Sequence, residues 1–107
     1  MIKLPEIDRK YLLNTLQDLL HIPSPTGYTE QAIVYLEEKL REFPEINFHR
    51  NAKGSLLASW LGDLKTSPRG LTAHVDTLGA MVKEIKSNGR LKLTQLGGYP
   101  WNTIEGE

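Results

Sequence analysis

GLTAHVDTLGAMV, residues 70 to 82, is an apolar run interrupted by His74 and Asp76. On an extended strand, residues two apart project to the same side, so the two polar groups face together. Two readings are open. In one, His74 holds a metal through one imidazole nitrogen, and Asp76 accepts a hydrogen bond from the other, fixing tautomer and ring direction. In the other, the strand ends at Val75, Asp76 caps a turn, and His74 is a satisfied, half-buried histidine. A three-residue motif does not decide between them. Its setting adds weight: GLTAHV reads as an interior strand, and open α/β sheets place their ligands at the C-terminal ends of such strands.

Upstream, Leu12, Leu13, Leu16, Leu19 and Leu20 fall on one helical face after Asp8, a ready N-cap; Pro23 and Pro25 stop that helix near Ile22. Thr29 can cap a second helix over 30–43, with Ile33, Leu36, Leu40 and Phe43 as its stripe and Glu37–Arg41 as a weak surface pair. The period then changes to two. INFHR (46–50) and SLLASWL (55–61) flank the turn NAKG, and AMVKEIK (80–86) and LKLTQL (91–96) flank a second turn at Asn88-Gly89. The tail from Gly97 starts as a turn and resumes as extended chain. Two helices followed by strands predict an α/β or α+β sheet protein. An apolar strand such as 70–75 needs cover on both faces, which two helices do not supply, so the chain reads as a piece of something larger.

The 107 residues carry 13 basic and 13 acidic groups and no long block of one sign, which argues against a nucleic-acid or anionic-membrane partner. Without cysteine there is no disulfide framework and no thiolate site, so a metal would be held by His, Asp or Glu. No apolar leader or bilayer-length stretch occurs in the sequence, and a cytoplasmic protein is the expectation.

AHVDTLGAMVKEI followed by NGRLKLTQLGG resembles the segment that carries the first metal ligand in the tetrahedral, or glutamyl-type, metallo-aminopeptidases, some of whose relatives carry the name endoglucanase M. LLHIPSPTGYTEQAIVYL resembles that family's first helix, Ser-Pro-X-Gly loop and second helix, and NAKGSLLASWLG its first hairpin. The matches span essentially the whole chain in the right order. The resemblance implies the N-terminal part of a zinc-peptidase-like α/β sandwich, with residues 1–77 in the catalytic domain and 78–107 a hairpin leading into an inserted β-rich dimerisation domain. It also implies that His74 is a terminal ligand to one of two divalent metals, zinc or cobalt, and that Asp76 is the residue of the catalytic machinery that orients it. The substrates would be peptides cleaved at their N-terminal residues.

The bridging carboxylate, the Glu-Glu pair and the later histidine of the family have no counterpart here. Glu105 and Glu107 are not adjacent and read as exposed carboxylates. The isolated chain is therefore expected to be inactive, to bind no metal tightly, and to self-associate through apolar faces and unpaired edges, as a homo-oligomer. His21 reads as a helix C-terminal group and His49 as solvent-facing. Ser24 and Thr26 have no neighbouring base, and Tyr99 and Trp101 read as packing residues. A non-catalytic assembly or binding module built on the same fold is the competing reading. Glycan hydrolysis ranks below both, because no carboxylate pair is identifiable for it.

Overall fold

In the computed structural model, which describes residues 6–63 and 66–105, the chain opens with helix α1 (Arg9–His21). Asp8 caps it: the carboxylate accepts the Tyr11 N–H at 2.9 Å, satisfying one of the amides that lack an intrahelical partner. Helix α2 (Glu30–Leu40) follows Thr29, whose side chain makes no capping bond. It ends three residues before the expected Phe43. The amides of Glu42 and Phe43 bond three residues back, to the carbonyls of Lys39 and Leu40, and tighten the last turn ahead of Pro44.

The expected first hairpin forms from β1 (Ile46–Arg50) and β2 (Leu56–Trp60), antiparallel, with Ile46 opposite Trp60 and Arg50 opposite Leu56. Asn51 organises the turn, its side-chain oxygen accepting the amides of Lys53 and Ser55 at 2.9 and 3.0 Å. The second hairpin joins β3 (Gly79–Ile85) to β4 (Leu91–Leu96), with Gly79 opposite Leu96 and a bulge between Val82 and Glu84. Helices and antiparallel hairpins make the fold a mixed α/β arrangement.

An ion-pair cluster that was not anticipated docks the first hairpin on α2. Glu37 was expected to pair with Arg41. It instead accepts two bonds from Arg50, at 2.6 and 3.0 Å, while the same guanidinium reaches both carboxylate oxygens of Glu30 at 2.7 and 2.8 Å. The planar fork of arginine suits this two-sided grip. Arg50 holds the Glu37 carboxyl below its ordinary value, and the two carboxylates raise Arg50 in turn.

Two expectations for the rest of the chain fail. Residues 70–75 form no ladder: a strand exists only through neighbours that take its N–H and C=O groups, and the described residues offer none there. Leu71 accordingly stands fully exposed, and Met81, Val82 and Ile85 are also uncovered within this single chain. The tail does not resume as extended chain either. Trp101–Thr103 form a short 3-10 turn, with the Thr103 hydroxyl donating to the Pro100 carbonyl at 2.7 Å.

The apolar core of the described residues is small: Ala32, Ile33 and Tyr99 are buried, while Leu12, Leu13, Leu16 and Leu20 of α1 face outward. The chain has a radius of gyration of 18.9 Å, against about 13 Å for a compact domain of this length. It exposes 9889 Å², where a compact monomer of this mass would expose roughly 6,000 Å². The secondary structure is set by local pattern and hairpin chemistry; burial contributes less than in a closed domain.

The sign of the pH dependence follows from Glu37. Its folded-state value lies below the ordinary 4.5, so its contribution is complete above that value and is lost as pH falls through the lowered one. Thermal melts should therefore show Glu37→Gln less stable than wild type at neutral pH, with the two curves converging as pH falls below the ordinary 4.5 and through the lowered value. A gap that persists unchanged into acid would show that the Arg50 pairing does not hold the hairpin.

Candidate functional site

Between the helices, Pro23 and Pro25 exclude helix, and the chain turns instead. The Tyr28 N–H donates to the Pro25 carbonyl at 2.8 Å across a four-residue turn, with Gly27 at φ 87° in the position that type II geometry reserves for glycine. This loop lies against the segment that leads into β3. The Thr77 N–H donates to the Ser24 carbonyl at 2.7 Å, and Pro25 and Thr77 form a parallel bridge. Gly79 completes the contact, since a Cβ at that position would lie 2.6 Å from the Pro25 Cβ. Ser24 is buried beneath, and its hydroxyl has no partner among the described residues.

That contact brings Thr26 to Asp76 and Asp76 to His74. A carboxylate only accepts, so the Thr26 hydroxyl donates to Asp76 Oδ2, at 2.8 Å. His74 Nδ1 lies 2.9 Å from Asp76 Oδ1 and 3.1 Å from the Asp76 backbone carbonyl. Both are acceptors, which assigns the hydrogen to Nδ1 and, in the neutral ring, leaves the lone pair on Nε2. The His74 side chain is 83% exposed and the Asp76 side chain 39%. The bond from Thr26, and secondarily that from His74, holds the Asp76 carboxyl below the usual aspartate value.

Thr26 and residues 73–76 also line a groove of about 650 Å³, whose apolar wall is Ile33, Leu36, Leu40 and Phe43 together with Leu56 and Ala58. The site therefore combines an ordered, outward-facing imidazole with an adjoining apolar cleft. No cluster of three or more histidine or carboxylate groups able to hold a metal occurs among the described residues. Any ion bound at His74 needs further ligands from elsewhere.

The remaining candidates stay apart from this pair. His21 ends α1, exposed, and His49 faces outward on β1. Glu105 is exposed, and Glu107 lies outside the described residues. Tyr99 is buried: its hydroxyl donates to the Gly79 carbonyl at 2.6 Å, its ring meets Trp101 edge-on at 6.0 Å, and the Gln95 side-chain amide donates to its carbonyl. It folds the tail back onto the start of β3. Thr26, which had no assigned partner in the sequence, is the residue that completes the site. Its partner lies 50 positions away, and nothing short of the Ser24–Thr77 contact brings the two together.

The model of the M42 glutamyl aminopeptidase family matches residues 54–107, just over half of the chain and including His74 and Asp76. A relative in Bacillus subtilis (strain 168), named "Putative aminopeptidase YhfE", is 50% identical over 95 residues, covering 89% of this chain. The chain spans 27% of that relative's length.

The close approach of Gly79 to Pro25 gives a stability prediction. Gly79→Ala should cost about 1–3 kcal/mol, the usual range for forcing a methyl into a filled contact. Gly98→Ala, where nothing lies within 4 Å of the new Cβ, should cost far less. Chemical denaturation of the two variants checks this, and equal losses would show that Pro25 yields freely.

Proposed function

Because the chain belongs to the M42 glutamyl aminopeptidase family, we propose that it forms the N-terminal portion of a metal-dependent aminopeptidase, with peptides as substrates and His74 as a ligand to one of two divalent ions, zinc or cobalt. The observation that carries this reading is the imidazole of His74, held by Asp76 through Nδ1 and open at Nε2. Residues 1–77 would belong to the catalytic domain and 78–107 would lead into an inserted dimerisation domain. Cytoplasmic location is part of the same proposal.

The donor set fits such an ion as one nitrogen ligand. The hydrogen on Nδ1 leaves Nε2 free to coordinate, and an acceptor on the far side of the ring makes that nitrogen more basic. Divalent ions in a peptidase site polarise the scissile carbonyl and lower the pKa of water. This chain's own residues hold and orient: Asp76 fixes the ring, and the groove beside it offers apolar surface to a substrate side chain. Sites of this class use three or more protein ligands per ion, so His74 acts together with residues outside these 107.

In the full-length protein, His74→Ala should lower the bound metal and remove most peptidase activity. Asp76→Asn should fold, yet lose roughly 10- to 100-fold in metal affinity or turnover. Metal analysis and hydrolysis of an aminoacyl anilide decide the matter; wild-type stoichiometry and turnover in His74→Ala would overturn the assignment.

The uncovered leucines of α1 and the exposed Leu71, Met81, Val82 and Ile85 also support self-association of this chain, since apolar patches recruit cover. Light scattering should report a mass above that of one chain. A monodisperse monomer would count against it.

A further inference from the structure

Asp76 can orient His74 only if its own carboxylate is held, and the structure shows what holds it. The Thr26 hydroxyl takes Oδ2 at 2.8 Å, while Oδ1 faces His74 Nδ1 at 2.9 Å, the shorter of the two contacts that nitrogen makes, the other being the Asp76 backbone carbonyl at 3.1 Å. With both oxygens engaged from opposite sides, rotation of the carboxylate breaks one bond or the other. Asp76 is more than a third exposed, so water competes for Oδ2 wherever the threonine hydroxyl is missing. The backbone that carries the hydroxyl is held in place. Thr26 occupies the second position of the turn closed by Tyr28 N–H and Pro25 C=O, and that turn is pinned to the Asp76 segment by the Thr77–Ser24 bond and the Pro25–Gly79 contact.

We propose that Thr26 is a positioning residue: its hydroxyl locks the Asp76 carboxylate in the orientation that keeps the hydrogen of His74 on Nδ1 and leaves Nε2 open for coordination. This rests on the reading of His74 as a ligand for its purpose. The lock itself is a property of the metal-free chain and is tested there. Thr26 has no role in bond making; it acts through Asp76. The hydroxyl is the working group and the methyl is not, so serine should serve and the near-isosteric valine should fail.

The test reads the His74 ring by long-range ¹⁵N–¹H correlation on metal-free protein, at a pH where the imidazole is neutral. Wild type and Thr26→Ser should each show one tautomer with the hydrogen on Nδ1. Thr26→Val should show a mixture of the two, with the Thr77 amide still protected from exchange, which certifies that the loop remains docked. A single Nδ1–H tautomer in Thr26→Val overturns the proposal, and so does a mixture in Thr26→Ser. If valine undocks the loop, the serine variant together with Asp76→Asn decides: the proposal requires one tautomer in the first and a mixture in the second. Calorimetric titration of the metal-free full-length protein with zinc separates this from the ligand reading. There Thr26→Val should weaken binding several-fold, less than the roughly 10- to 100-fold expected where the group touching the ligand is changed. Unchanged zinc affinity in Thr26→Val overturns the positioning role, whereas unchanged affinity in His74→Ala overturns the ligand reading and leaves the tautomer comparison to decide Thr26.

Discussion

The amide of Thr77 donates to the carbonyl of Ser24, and the second half of the molecule is placed by that bond. Upstream lie α1, α2 and the first hairpin, and downstream the second hairpin and the tail. The two parts meet where the Ser-Pro-Thr-Gly loop crosses the residues that follow the His-X-Asp pair. A bond between two backbone groups is indifferent to side-chain identity, but the approach it requires is not. Pro25 has to lie flat on the chain at residue 79, and only a residue without a Cβ leaves room for it. The contact thus depends on Gly79 as much as on the hydrogen bond.

The candidate site inherits its order from this contact. Thr26 meets Asp76 because the loop is docked, and Asp76 meets His74 across only two positions of the chain. The first of these relations is long-range and the second local. The local one was legible in the sequence: the spacing of His74 and Asp76 implied that they face together, and the geometry agrees. The long-range one was not. A threonine in a turn shows no sign of which distant carboxylate it will bond, and its type is equally suited to solvent.

The same division runs through the fold. Asp8 and Thr29 marked both helix starts, though only the Asp8 side chain makes a capping bond, and the two hairpin turns fell where Asn and Gly required, since turn and cap chemistry acts within a few residues. The strand expected over 70–75 was read from apolarity alone, and apolarity states a need for burial without supplying neighbours. Glu37 was assigned the nearest arginine along its helix, yet Arg50 captured it from the adjoining hairpin. A sequence signal for that pairing did exist. Arg50 lies in phase with Ile46 and Phe48, the half-buried side of β1, and a guanidinium facing inward there needs a carboxylate to meet it.

The elongated outline, 66 Å in its longest dimension, gives the Ser24–Thr77 contact a mechanical character. Thr26, Asp76 and His74 all lie within three residues of that contact in the chain. Any rotation of one part against the other would pivot there, and would displace the hairpin tips farther than it displaces these three side chains.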